Sequence, residues 1–371
     1  MENRGNNHQA AGKAGYPKGR RGTGISSRRI SAPVLPLLSV IALPAFLISC
    51  TGEMPEGHGP VLPDLPGNAS IALKLDGIAG MPGARYDSID IIVFNDDRLQ
   101  RLDSYQRIAV HDGETVFAAS RSGKKIIAVI ANPHAGRYGW QDISSFHALR
   151  SKKSDLRKED PGALMMSGYA TAAGGGKCRV ALEPMVSEIR LESIRCDFSS
   201  RPYAGARLEE VKVYLTNVNY EARFFQTEGF LPESICNSGH LDSDCLSAFE
   251  HPDIMMQEID GPVGTSEVKP GISLMCYPNE CAEESAGSPF TRLVIEGKIN
   301  GRTCFYPINI NRGATGKEAA PGVGRNCRYI YDVVIKSTGS SDPEMVVTPA
   351  DIDIRCDIVP WEEDTGNEIE F

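Results

Sequence analysis

The residue types that most often do chemistry occur in this chain without the spacing that an active site requires. None of the seven histidines forms an H-E-x-x-H zinc motif, and no G-x-S-x-G nucleophile elbow is present. The glycine run AAGGGKC (172–178) lacks the first glycine and the last Ser or Thr of a phosphate-binding loop, and is more typical of a hairpin turn. The segment DSDC (242–245) starts like a calcium loop, but Leu246 and Ser247 follow where an oxygen ligand and a glycine are needed. We therefore predict no catalytic residue, no metal, no cofactor and no enzyme.

The ten cysteines are the more informative residues. Cys276 and Cys281 have C-x4-C spacing, but no histidine lies close by in the sequence, so a zinc site is not predicted. Two disulfides are predicted as candidates instead, Cys276 with Cys281 and Cys236 with Cys245, because each pair is close enough in the chain to bridge a loop. The connectivity stays open at this stage.

One further cysteine, Cys50, ends an uncharged apolar run (30–49) that follows a basic block (19–29). This is the layout of a secretory signal peptide. The run approaches the roughly 20 residues of a membrane span, but it contains three prolines, which interrupt a helix that has no neighbours. The segment LISC (47–50) resembles the lipobox of bacterial lipoproteins. We predict a signal peptide over 1–49, cleavage between Ser49 and Cys50, and lipidation (palmitate) of Cys50.

Charge and cysteine number constrain the partners and the compartment. The formal net charge of −9 is spread without a basic stripe, which argues against a nucleic-acid partner. Export permits disulfides. If one of the ten cysteines carries lipid, an odd number remains, so the others cannot all pair.

Short alternating segments dominate the rest of the chain and predict an all-β fold with few helices. Residues 50–68 are rich in Gly and Pro and indicate a flexible tether. We predict one β-sandwich over 69–200 and a second over 201–371, with the turn-rich segment SSRPYAGA (199–206) at the joint.

Three local patterns give sharper expectations. The apolar alternation of SEIRLESIRCDF (187–198) slips by one residue, which predicts a β-bulge. Asn300-Gly301 predicts the tip of a tight hairpin. QDISSFHALRSK (141–152) has a helical apolar face with Asp142 as the predicted N-cap.

Several segments together resemble the fimbrillin superfamily of Bacteroidales lipoproteins, most closely its minor anchor branch, the FimB-like fimbrial subunits. They occur in the family's order and are IIAVIANP (126–133), LMMSG (164–168), VALEPMVSEIRLESI (180–194), VKVYLTNVN (211–219), RNCRYIYDVVIKSTGSSDPE (325–344) and IVPWEEDTGNEIEF (358–371). The resemblance implies two transthyretin-like β-sandwich domains and a role in type V fimbriae. In that system subunits mature after lipoprotein export, and a strand passes from one subunit into its neighbour.

The tail segment DIDIRCDI (351–358) has a pattern that suits such strand exchange. Its apolar residues alternate with charged ones, so one face of the strand is apolar: Ile352, Ile354, Cys356 and Ile358. A strand of this kind can add to a neighbouring sheet, with main-chain hydrogen bonds for affinity and alternate side chains for register. The alternative is that it pairs within its own domain.

Three functions compete at this stage. The first is a structural lipoprotein, surface-exposed at the cell outer membrane, that anchors a fimbria and contacts other fimbrial subunits by β-strand addition. The second is a stalk or tip subunit matured by an arginine-specific protease, for which Arg85 in GMPGARYDS (80–88) is the predicted site. The third is a surface glycan-binding lipoprotein, in which exposed aromatic side chains would stack on sugars. The chain has only two tryptophans, Trp140 and Trp361, and 7% aromatic residues, which disfavours this function.

Overall fold

The structure is a computed structural model, and it describes residues 68–76, 88–109, 116–134, 140–173, 176–312, 322–345 and 347–361. The strands, in chain order, are β1 Asn68–Asp76, β2 Ser88–Asn95, β3 Leu102–Ala109, β4 Val116–Arg121, β5 Lys124–Ala131, β6 Lys153–Asp155, β7 Met166–Ala173, β8 Lys177–Ala181, β9 Glu183–Pro184, β10 Ser187–Cys196, β11 Glu209–Thr216, β12 Val218–Asn219, β13 Glu221–Arg223, β14 Ile235–Cys236, β15 Met256–Glu258, β16 Ile272–Cys276, β17 Arg292–Ile299, β18 Arg302–Asn309, β19 Cys327–Ile335 and β20 Ile352–Pro360. Within these ranges the helices are short: α1 Phe146–Arg150, α2 Ser243–Ser247, and 3-10 turns at Trp140–Asp142, Leu156–Lys158 and Pro252–Ile254. The predicted all-β class is confirmed.

The strands before residue 185, except β6, form two sheets that share an apolar core. One sheet has the order β4-β1-β8, and the other has the order β3-β2-β5-β7-β9. The core contains Ile71 and Leu73 of β1 and the odd-numbered apolar residues of β2. The even-numbered Ile92 and Phe94 of β2 belong to a second core cluster. Burial on both faces explains why β2 and β5 have almost continuous apolar sequences.

Eight of the later strands form a second pair of four-stranded sheets, whereas β12 pairs with β14 and β13 pairs with β6. One has the order β16-β10-β19-β20 and the other β15-β11-β17-β18. Strand β10 lies at residues assigned by prediction to the first domain, yet it pairs with β16 and β19 of the later part. The domain ranges 69–200 and 201–371 stay a prediction.

Two of the local expectations are confirmed at the residue level. The pairing of β10 with β19 shifts register between Leu191 and Ser193, where the sequence pattern slips. Asn300 and Gly301 connect β17 to β18, and both have positive φ (51° and 78°), which a two-residue hairpin turn requires.

Two other local predictions are corrected. Strands β7 and β8 do not form the predicted hairpin, because β7 pairs with β5 whereas β8 pairs with β1 in the other sheet. The two consecutive strands therefore belong to different sheets. The predicted helix over 141–152 is reduced to α1, and its N-cap is Ser145, whose side chain accepts a hydrogen bond from the Ala148 N–H, rather than Asp142. Among the described residues, no helix has the length and apolar character needed to cross a bilayer.

Candidate assembly site

Strand β20, the predicted donor strand, lies at the edge of its sheet. It pairs antiparallel with β19 from Ile335↔Ile352 to Cys327↔Pro360. Its other edge pairs with no strand in the described part of the chain. An edge strand presents unpaired N–H and C=O groups, which is a template for pairing with another chain.

The apolar face of β20 is only partly covered. Ile352 is buried, with 3% of its surface exposed, but Ile354 is 42% exposed. Cys356 and Ile358 are half-buried and pack against the core. Burial raises the pKa of the Cys356 thiol, which therefore stays protonated and apolar. The strand combines a free backbone edge with an exposed apolar side chain at its centre.

The start of β20 is fixed by a small polar network around Asp351. The Ser337 hydroxyl donates to Asp351 Oδ1 at 2.5 Å, and the Thr348 hydroxyl donates to Oδ2 at 2.7 Å. These hydrogen bonds, led by that from Ser337, lower the pKa of Asp351. The Arg201 guanidinium donates to the Ala350 carbonyl at 3.0 Å. The chain is thus tethered just before the first residue of β20, while the strand itself is held by one ladder only.

Strand β1, at the other end of the described chain, has the opposite environment. It lies between β4, with which it pairs antiparallel, and β8, with which it pairs parallel. Ile71 and Leu73 are fully buried beneath it. Removing β1 would leave the facing edges of β4 and β8 unpaired and expose the core between them.

The predicted sites near the N-terminus are not described by the structure. Ser49 and Cys50 of the predicted lipobox lie outside the described residues, as does Arg85, the predicted protease site. These three assignments stay predictions.

The structure joins one of the two candidate cysteine pairs. Cys236 and Cys245 form a disulfide, with 6.1 Å between their Cα atoms. Cys276 and Cys281 are free buried thiols, so that predicted bridge is wrong for this structure. Cys276 lies at the end of β16, opposite Ser187, whereas the Cys281 Sγ contacts the Pro289 carbonyl at 3.6 Å.

For sugar or metal binding, the relevant side chains within the described residues are the two tryptophans and the metal-ligating types. Within the described ranges, no group of three or more His, Cys, Asp or Glu side chains is placed to hold a metal. Trp140 and Trp361 are both buried, so neither presents a ring face to a sugar. The indole of Trp140 donates instead to Asp90 Oδ2 at 2.6 Å.

The structure buries two ionisable residues that the sequence pattern did not predict to be buried. The Arg325 guanidinium donates to main-chain carbonyls of five residues: Ser167, Glu183, Pro184, Phe224 and Gln226. Its partners precede it by 99 to 158 residues, so nothing near it in the sequence signals this role. Arg325 connects the end of the first sheet pair to the segment that precedes β19.

Glu159 is the second residue that was missed, and its side chain is completely buried. Its Oε1 accepts from the Met165 N–H at 2.5 Å, and its Oε2 lies 3.3 Å from the Tyr277 hydroxyl and 4.0 Å from His134 Nε2. Burial raises the pKa of Glu159 to about 8. Burial therefore favours the protonated form of this carboxyl group, against the hydrogen bonds from Met165 and Tyr277.

No family model and no curated protein matches the chain. Solved structures do match over most of its length. A candidate cell adhesion protein from Parabacteroides distasonis superposes with a TM-score of 0.60 at 17% identity, covering 81% of this chain and 99% of that one. A candidate cell adhesion protein from Bacteroides eggerthii matches with a TM-score of 0.57 at 17% identity, covering 80% and 97% of the two chains.

A fimbrilin from Porphyromonas gingivalis also matches, with a TM-score of 0.57 at 14% identity, and the alignment covers 79% of this chain and 97% of that one. At these identities the likeness shows the fold. The chain therefore has the fimbrillin fold that the resemblance of its segments implied.

Proposed function

We propose that the protein is a non-enzymatic structural subunit of a fimbria, located at the outer membrane through lipid on Cys50. In this proposal it joins a neighbouring subunit by strand addition through β20. The observation that carries the proposal is the free edge of β20 together with the exposed side chain of Ile354. The fimbrillin fold supports the same assignment.

The environment of β1 supports an anchor in particular. The predicted tether over 50–68 runs directly into β1, whose two ladders hold it inside its sheet. A lipid at Cys50 would thus be connected to the folded body by a central strand. We infer that an anchor keeps this connection intact.

The stalk or tip alternative requires that the connection between Cys50 and the folded body be cut. A cut after Arg85 would separate β1 from β2, which begins at Ser88. The N-terminal residue of the protein recovered from the cell envelope separates the two functions. We expect the recovered protein to begin with acylated Cys50, identified by mass spectrometry. Protein that begins at Tyr86 would instead favour the stalk or tip subunit.

The role of β20 is tested by Ile354→Asp. A charged side chain at this position would disfavour the apolar interface with a neighbour, so we expect loss of most cell-bound fimbriae with an unchanged melting temperature. Leu231→Asp is the matched control, because Leu231 is also an exposed apolar side chain, with 58% of its surface exposed, and it lies outside β20. If fimbriae remain cell-bound with Ile354→Asp, strand addition through β20 is wrong. Loss of folding as well as of fimbriae would show only that β20 belongs to its own sheet.

A further inference from the structure

The free edge of β20 lacks three features that commonly keep an edge strand from pairing with another chain. Proteins protect such edges with β-bulges, with prolines inside the strand, or with charged side chains that point inward. The register of β20 with β19 runs without a bulge, and the one proline of β20 is its last residue, Pro360. The residues that alternate on its inner face are uncharged. An edge of this length and composition is therefore suited to pairing with a further strand.

The ends of the β19–β20 ladder show which backbone groups of β20 point toward the free edge. The Lys336 N–H donates to the Asp351 carbonyl at 2.8 Å, and the Trp361 N–H donates to the carbonyl opposite it at 3.3 Å. Successive residues of a strand direct their backbone groups to opposite sides, so the odd-numbered residues of β20 bond to β19. The groups left unpaired within the described chain are the N–H and C=O of Ile354, Cys356 and Ile358.

The charges on the outer face of β20 alternate in sign along the strand. Asp353, Arg355 and Asp357 are all exposed. The guanidinium of Arg355 lies 2.8 Å from Asp357 Oδ2, and 72% and 51% of the two side chains are exposed. A second copy of the chain, related by a two-fold axis, presents the same residues in the opposite direction. The pattern of charges can therefore be complementary to itself.

One register of two antiparallel β20 strands uses their whole length and suits both faces. When Cys356 lies opposite its own copy, Arg355 lies opposite Asp357 of the second copy, and Ile354 lies opposite Ile358. Four charges of alternating sign then meet on the outer face, and apolar side chains meet on the inner face. A shift of one strand by two residues places either Arg355 or Asp357 opposite its own copy, which is repulsive. A shift by one residue pairs the apolar face with the charged face.

We propose that the free edge of β20 pairs antiparallel with β20 of a second copy of this chain, with Cys356 at the two-fold axis. In this register the opposed residues are those with unpaired backbone groups, and each such pair exchanges both of its N–H···O hydrogen bonds. Ile354, which is 42% exposed in the single chain, is covered by Ile358 of the second copy. The second copy is the occupant because its edge carries the matching charges in the matching order.

The pairing uses the edge that the proposed function assigns to strand addition, and its meaning for assembly rests on that function. One set of backbone groups cannot bond to two strands. The dimer and the joint with a fimbrial neighbour therefore exclude each other. The dimer is a resting form that protects the edge until a fimbrial strand replaces the second copy.

Sedimentation velocity tests the pairing with the mature chain (50–371) carrying Cys50→Ala, so that no acyl group contributes. We expect a reversible dimer. Arg355→Asp places carboxylates opposite each other at two positions related by the two-fold axis, so the dissociation constant should rise at least about tenfold. Combining Arg355→Asp with Asp357→Arg restores the alternation of sign, and should return the constant to within about threefold of the wild-type value.

Arg302→Asp is the matched control, because it makes the same change of charge at an exposed residue outside β20. It should leave the dissociation constant unchanged, and thermal melting checks that each variant is folded. A chain that is still monomeric at about 1 mM, the weak end of the range of binding affinities, overturns the proposal. A dimer that Arg355→Asp weakens no more than Arg302→Asp also overturns it, because another surface would then hold the two copies together. A dimer that the charge exchange does not restore shows that the register is wrong.

Failure of this proposal is distinguishable from failure of the proposed function. Sedimentation uses the purified chain without other subunits, so a monomer would leave strand addition to a fimbrial neighbour untouched. Conversely, fimbriae that remain cell-bound with Ile354→Asp would overturn strand addition through β20 without deciding whether two copies of the wild-type chain pair.

Discussion

Strands β1 and β20 differ in the number of neighbours that hold them. Strand β1 has a ladder on each side and two fully buried apolar side chains. Strand β20 has one ladder, and its central Ile354 is exposed. A strand with hydrogen-bonded neighbours on both sides has no backbone groups left to pair with another chain. An edge strand can pair its unpaired N–H and C=O groups with another chain while the domain stays folded. This difference is the basis for the proposed attachment through β1 and the proposed assembly through β20.

The largest predicted effect is a difference between the two strands in the loss of unfolding free energy caused by an alanine substitution. Leu73→Ala removes a fully buried side chain from β1 and leaves a cavity, so we expect a loss of about 2–5 kcal/mol in the free energy of unfolding. Ile354→Ala should cost well under half of that value, because much of that side chain is already in water. Urea unfolding followed by circular dichroism measures both. Equal losses would contradict the assignment of β20 as a loosely held edge.

The sequence predicts the local features of these sheets better than their connections. The slip after Leu191 and the Asn300-Gly301 turn are decided by adjacent side chains, and both appear where expected. The glycine run after β7 has the same local signal whether the next strand pairs with its predecessor or crosses to another sheet. That choice depends on β1, about a hundred residues earlier in the chain, which accepts β8 as a parallel neighbour.

The candidate site was predictable only in part, for a similar reason. Alternation identified the apolar face of β20, but exposure depends on what lies opposite, and this differs between Ile352 and Ile354. The role of Glu159 depends on burial beneath distant residues such as Tyr277. Glutamate side chains are mostly exposed, so the sequence around Glu159 predicts a surface position.

A second prediction concerns how the free energy of unfolding depends on pH through Glu159, which lies in the interior of the fold and not in β20. The pKa of Glu159 is about 8 in the folded chain, above its ordinary value of 4.5, because burial disfavours the charged form. Its stabilising contribution is therefore complete below pH 4.5 and lost as pH rises to 8, by up to about 1.4 kcal/mol per pH unit. Glu159→Gln cannot ionise, so we expect the stability of this variant to exceed that of the wild type increasingly over this window. Groups facing the carboxyl are the Met165 N–H, the Tyr277 hydroxyl, His134 and the adjacent Asp160.

The measurement is urea unfolding of both proteins from pH 5 to pH 9, roughly the window between the ordinary pKa of a glutamate and alkaline pH. Glu250→Gln is the control, because Glu250 is an exposed partner of Lys158. A difference between Glu159→Gln and wild type that is constant with pH would show that the carboxyl is ionised in the folded protein.

The smallest effect concerns the start of β20 and has the opposite sign. Hydrogen bonds from Ser337 and Thr348 lower the pKa of Asp351, so its contribution is present above the unfolded pKa of about 3.9 and lost as pH falls through the lower folded value. Asp351→Asn removes the charge but keeps the size of the side chain, and we expect a cost of about 1 kcal/mol at neutral pH that disappears in strong acid. Asp353→Asn is the control, since Asp353 pairs with Lys336 at the surface and the substitution should cost less.

Amide hydrogen exchange along β20 provides the sharper readout: it should accelerate in Asp351→Asn while β1 remains protected. If exchange accelerates in both strands, Asp351 stabilises the whole fold rather than the start of an edge strand, and the contrast between β1 and β20 no longer holds.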